Sequence, residues 1–86
     1  MSATQAVTAH TSELDAGTLQ TARTLVEESF TVEYSGADWE HGLGGMHALV
    51  WEEGELVAHG SVVQRRLLHE GRALRTGYVE GVAVRA

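Results

Sequence analysis

Cysteine, lysine and proline are all absent from this chain of 86 residues. Without cysteine there is no disulfide framework, no thiolate metal site and no cysteine nucleophile. Average usage of about 5% would supply roughly four prolines, so the loops must be built from glycine. Glycine occurs ten times. With lysine missing, the six basic residues are all arginine, set against twelve acids for a net charge of -6. No basic stripe is available for phosphates, which excludes nucleic acid as an expected partner. An acidic balance suits a cationic ligand, although many soluble cytoplasmic proteins are equally acidic. No apolar run approaches the roughly 20 residues of a membrane span. Residues 1–15 lack the basic start and apolar core of a signal peptide. The expectation is a cytoplasmic protein with no membrane partner. A hydrophobic share of 43% and a charged share of 21% also exclude a disordered acidic tail. One small domain is expected, burying roughly 60% of its unfolded surface.

Ala6, Val7 and Ala9 alternate weakly and predict a short edge strand. Ser12 or Asp15 then offers a helix N-cap, and Leu19, Ala22, Val26 and Phe30 follow at spacings of three and four. That spacing marks one face of an amphipathic helix over about Ala16 to Ser29. Thr18, Thr21 and Thr24 are mediocre helix formers, so packing must supply most of its stability. From Thr31 to Gly45 the chain turns aromatic, acidic and glycine-rich without a sustained period. Loop is expected there, with a single helical turn around Asp38–His41 capped by Asp38. Beyond it the chain reads as β. Met46–Trp51, Leu56–Leu68 and Ala73–Val84 are three strands, joined by glycine-containing turns at Glu52-Glu53-Gly54-Glu55 and His69-Glu70-Gly71-Arg72. The fold class is α+β: a short N-terminal strand, an amphipathic helix, then a three-stranded antiparallel meander. Its last strand runs to the final residues, which reads as a chain cut short.

Glu80 is the only charge within the apolar strand Tyr78-Val79-Glu80-Gly81-Val82-Ala83-Val84. A carboxylate there loses hydration, and its pKa is expected to rise toward that of a general base. The plainer reading pairs it with Arg75 or Arg65. Gly77 and Gly81 mark either a bulge and a close approach by a ligand, or relief of crowding beneath the helix. Glu33, Asp38 and Glu40 are interleaved with Tyr34 and Trp39, a combination that suits an amine or amino-sugar ligand. The plainer reading is a solvated loop with one cap among the acids. Gly42-Leu43-Gly44-Gly45 precedes a strand and lacks a following Lys-Ser, so it is no nucleotide loop. His10, His41, His47, His59 and His69 show no paired ligand spacing, and no metal site is expected. Arg65 and Arg66 point to opposite faces of the sheet. Ser61 lacks the sharp glycine-flanked elbow of a serine nucleophile.

Four segments carry a resemblance: Asp38-Trp39-Glu40-His41, Leu43-Gly44-Gly45-Met46-His47-Ala48-Leu49, Gln64-Arg65-Arg66-Leu67, and Gly77 through Ala86. In this order they resemble the N-terminal half of the aminoglycoside 2'-N-acetyltransferases, members of the GNAT superfamily. The match is dense from about Asp38 and looser through the helix. The resemblance implies a mixed sheet with helices on both faces, acetyl-CoA as co-substrate, and an aminoglycoside or similar polyamine as acceptor. It makes a homodimer the candidate assembly of a full-length protein. Glu80 and Gly81 fall on positions that contact the aminoglycoside, and Asp38 on a position near it. Glu33 stands where the family's shorter Asp is expected, so its side chain reaches differently. Val82, Ala83 and Val84 fall where backbone groups pair with the acetyl and pantetheine part of acetyl-CoA. By this resemblance Glu80 is the catalytic residue, holding an ammonium group or relaying its proton through water. Residues 1–86 would then be the N-terminal part of one GNAT domain, ending before the loop that holds the pyrophosphate at a helix N-terminus. Two other readings stay open: a GNAT enzyme for another small amine or a peptide, and a non-catalytic acidic α+β binding module.

Overall fold

The structure is a computed structural model and describes residues 3–30 and 36–85. Its elements are strand β1 (Thr4–His10), a 3-10 turn (Thr11–Glu13), helix α1 (Ala16–Ser29), a short helix α2 (Gly36–Glu40), and strands β2 (Met46–Glu52), β3 (Glu55–His69) and β4 (Arg72–Val84). The strands form one antiparallel sheet in the order β1-β2-β3-β4. The expected strand, helix and meander are therefore all present, and the first strand joins the meander as its edge.

Asp15, not Ser12, caps α1. Its carboxylate accepts from the Thr18 N–H at 2.6 Å, and the bonds to Thr18 hold its pKa below the usual carboxylate value. Ser12 belongs to the preceding 3-10 turn, which His10 caps. There the imidazole accepts from the Ser12 N–H at 3.1 Å, while the His10 N–H donates to Glu13 at 2.8 Å. The buried stripe of α1 is Ala22, Leu25 and Val26. Phe30, expected on that stripe, is the C-cap and is exposed.

Both hairpins turn on a Glu-Gly pair with positive φ at each residue: 49° and 83° at Glu53 and Gly54, 49° and 75° at Glu70 and Gly71. Two left-handed residues give a two-residue turn whose twist matches that of the flanking strands. β2 accompanies β3 only as far as the pair Met46↔Val62, whereas β4 stays with β3 to His69↔Arg72. The far half of that hairpin is thus a two-stranded ribbon, with Leu67, Leu68 and Leu74 exposed.

The core lies on one side of the sheet. Ala22, Leu25 and Val26 of α1 meet Leu49, Leu56 and Ala83 of the strands, with Leu14, Leu19, Leu43 and Trp51 around the rim. Trp39 joins this cluster at 6% exposure. It is held by α2, which starts at Gly36, so Asp38 lies within the first turn instead of capping it. Among the described residues no helix is long and apolar enough to cross a membrane.

Candidate functional site

The site is built by an irregularity in β4. Ser61 pairs with Glu80, and His59 pairs with Ala83. Two residues apart on β3 are thus matched by three apart on β4, which is a β-bulge. Gly81 occupies it with φ 54°, a left-handed conformation that glycine adopts without steric cost. Plain alternation would send the side chains of residues 80 and 83 to opposite faces. The extra residue turns both toward the core side.

Glu80 consequently lies beside Ser61 and beneath Gly42. A Cβ built on Gly42 would sit 2.8 Å from Ser61 Oγ and 3.3 Å from the Glu80 Cβ. The glycine after α2 therefore permits this close approach. Ser61 Oγ donates to the Glu80 carbonyl at 3.2 Å. Glu80 is half-buried, not sealed. Among the described residues the ion pairs are Arg23–Glu27, His69–Glu70 and Arg85–Glu55. None joins Glu80 to Arg65 or Arg75. Arg65 instead donates to the His41 carbonyl at 3.0 Å and lies 6.0 Å from the Tyr78 ring centroid.

Among the described residues, β4 beyond Glu80 is an edge of the sheet. Arg85 N donates to Val57 O at 2.7 Å, flanking the pair Ala58↔Val84. In an antiparallel ladder that places Val84 at a non-hydrogen-bonded position, with its own N–H and C=O turned away from β3. Ala83, paired with His59 at the next position, turns inward, and Val82 lies within the bulge. Val82 and Val84 also expose their side chains on the outer face, while Ala83 is buried in the core. Of the three residues expected to meet acetyl-CoA through their backbone, Val84 turns its groups toward the edge.

The structure brings Glu80 and Gly81 together with Ser61 and Gly42. Trp39 is core, Asp38 is exposed on α2, and Glu33 and Tyr34 lie outside the described residues. Gly77 does relieve crowding, but against Val62 on the outer face, where a Cβ would come within 3.3 Å of Val62 Cγ1. The wider surface groove, lined in part by Gly45, Met46, Val62, Gln64 and Gly77, does not include Glu80.

Spacing gave no reason to connect two histidines that prove central. His47 and His59 are 1% and 4% exposed. His47 Nδ1 lies 2.9 Å from His59 Nε2, and His59 Nδ1 lies 2.8 Å from the Gly81 carbonyl. At the other end Thr11 Oγ1 lies 2.6 Å from His47 Nε2. Burial lowers the pKa of both. The charges of His59 and His10 lower that of His47 further, and the bond to Gly81 partly offsets the effect at His59. Trp39 stands 5.6 Å from the His59 ring, tilted by 41°. Among the described residues no group of three or more His, Cys, Asp or Glu side chains could hold a metal. The signal that could have found the pair is the inward stripe of the hairpin, His47-Leu49-Trp51 against Leu56-His59-Ser61.

No family model matches the chain. Over 76 residues it is 59% identical to an aminoglycoside 2'-N-acetyltransferase of Mycolicibacterium fortuitum. The matched stretch is 88% of this chain and 39% of that relative's length. Among solved structures, a conserved protein of Enterococcus faecalis V583 described as a probable N-acyltransferase superposes with a TM-score of 0.75 at 12% identity. The superposition takes in 99% of this chain and 21% of that one. That likeness shows a shared fold, and the α+β arrangement is the one expected of a partial GNAT fold.

Proposed function

We propose that this chain, similar over most of its length to part of an aminoglycoside 2'-N-acetyltransferase, forms the acceptor-binding side of such an enzyme. The reaction is transfer of an acetyl group from acetyl-CoA to an amino group of an aminoglycoside. One observation carries the reading. The bulge at Gly81 sets a lone half-buried carboxylate on the core side and the outward backbone of Val84 on the edge, within five consecutive residues.

An aminoglycoside amine is protonated near neutral pH and must lose that proton before it can attack a carbonyl. Glu80 has the charge to hold the ammonium and to accept its proton, directly or through one water. The net charge of -6 adds a favourable field for a polycation. Acetyl-CoA, when bound, supplies the activated thioester. The donor set fits it, since the outward N–H and C=O of Val84 can hold an extended amide chain, and the Val82 N–H in the bulge is proposed for the carbonyl oxygen where negative charge develops. Glu33 and Asp38 are the further acidic residues proposed for the aminoglycoside, with Gly81 as the close backbone approach.

The test is a chimaera in which this chain replaces the matching stretch of the M. fortuitum relative. It should acetylate aminoglycosides, and Glu80→Gln should lower kcat/KM by at least about tenfold. Loss of a charge-assisted contact costs roughly 1.5–3 kcal/mol, and about 1.4 kcal/mol is a factor of ten. A folded chimaera without activity, or one indifferent to Glu80→Gln, would overturn the proposal.

A further inference from the structure

With both rings neutral, as burial favours, the contacts running from Thr11 to Gly81 admit only one arrangement of protons. A carbonyl can only accept, so His59 Nδ1, 2.8 Å from the Gly81 oxygen, carries a hydrogen. In the neutral ring His59 Nε2 is then an acceptor, and His47 Nδ1 at 2.9 Å must donate to it. His47 Nε2 is in turn an acceptor, and the Thr11 hydroxyl donates to it at 2.6 Å. The same hydroxyl lies 3.4 Å from the Gly45 carbonyl, a weaker use of its proton. Thr11 Oγ1 also accepts from the Gly44 N–H at 2.9 Å. The run therefore ties the turn after β1, the loop after α2, and strands β2, β3 and β4 to a single carbonyl.

That carbonyl belongs to the residue that makes the bulge. Gly81 has more backbone freedom than any other residue type, and a bulge displaced by one position would reverse the face to which Glu80 points. Packing alone does little to prevent this, because Val82 and Val84 are exposed and, among the described residues, no strand pairs with the outer side of β4. His59, in contrast, is fixed between His47 and Trp39. We propose that Thr11, His47 and His59 are positioning residues whose directed hydrogen-bond chain holds the Gly81 carbonyl, and thereby keeps Glu80 turned toward Ser61 and Gly42. His59 is the residue in contact with the bulge, and His47 and Thr11 set which of its nitrogens donates. The consequence for acetyl transfer rests on the role given to Glu80 above. The hydrogen-bond chain itself is a property of the 86 residues and can be measured without any activity.

Long-range proton–nitrogen NMR spectra of the chain near pH 7.5 should show both His47 and His59 as neutral rings with hydrogen on Nδ1. His59→Leu removes both bonds. His59→Gln keeps their direction, since its amide N–H₂ can donate to Gly81 and its amide oxygen can accept from His47. The amide resonances of Glu80, Gly81 and Val82 should move in the Leu variant and return toward the parent positions in the Gln variant. In the chimaera, His59→Leu should lower kcat/KM at least tenfold, with recovery to within about threefold in His59→Gln. An Nε2 hydrogen on either ring would overturn the proposal, and this reading stands even if the Leu variant does not fold. A folded Leu variant with unmoved Glu80 and Gly81 resonances would also overturn it. An inactive chimaera with the expected spectra would instead count against the role of Glu80 alone.

Discussion

On the side of the sheet that α1 covers, Leu49, Leu56 and Ala83 are at most 4% exposed. On the other side Met46, Val62, Val79, Val82 and Val84 remain between 46% and 69% exposed. Both faces are apolar, so apolarity does not decide which becomes the core. The helix decides it, by packing across β3 and β4 from one side. The consequence reaches the polar residues too. His47, His59 and Ser61 lie on the covered side, and each is hydrogen-bonded. Among the described residues no buried side-chain nitrogen or oxygen lacks a partner. A buried polar atom without one costs about 1–3 kcal/mol, so the covered face had to be ordered as a network. The exposed face carries no such demand. Glu80 sits where the two regimes meet, on the covered face but beside the open edge.

The sharpest way to break this contrast is to cut the same kind of side chain on both faces. Leu49→Ala should cost about 2–5 kcal/mol, a large part of the stability of so small a domain. Val79→Ala should change it by no more than about 0.5 kcal/mol. Urea melts of the two variants compare them directly, and similar midpoints would abolish the distinction. Acid should act next, and between pH 8 and pH 5 it should act through the covered face. His47 and His59 have folded pKa values below the ordinary 6.5, so the unfolded chain binds more protons in the window beneath 6.5. Stability from this source is fully present above that value. It falls as the pH drops toward the lowered folded values. Melts from pH 8 to pH 5 should show that loss, and it should shrink in His47→Gln.

The exposed face predicts association in place of instability. β4 is an edge without lysine or proline, and its outer valines are bare. Sedimentation at tens of micromolar should reveal species above 9.3 kDa, and Val79→Lys should reduce them. A monodisperse parent chain would show that the bare face is not adhesive. The smallest effect belongs to the hairpin tip, remote from both faces. Glu70 holds φ 49°, which costs roughly 1–2 kcal/mol for an ordinary residue and less for Asn. Glu70→Asn should stabilise the chain by up to about 1 kcal/mol in the same urea melts, and a decrease would contradict the turn geometry.

What could be read from the residues in order was whatever is local. Helix α1 begins and ends where the apolar spacing and Asp15 said it would, and both Glu-Gly turns fall at the places marked by glycine. Glu80 also stood out, as a lone charge in an apolar strand. These features depend on backbone geometry over a few residues, which composition and period encode directly. What surrounds Glu80 was not legible. Its face depends on a bulge that removes the strict alternation, and its neighbours Ser61 and Gly42 come from β3 and the loop after α2. Trp39 read as part of a ligand surface and became core, because α2 folds over the sheet. The His47–His59 pair depends on the register of β2 against β3, which sets His47 opposite Ser61, two residues from His59 on the same face. The elements and their turns follow from the order of residues, because they rest on short-range sterics and capping. Which face is covered, which histidines meet and where Glu80 points follow from the packed fold, because strand register is set by packing between distant residues and one extra residue reverses it.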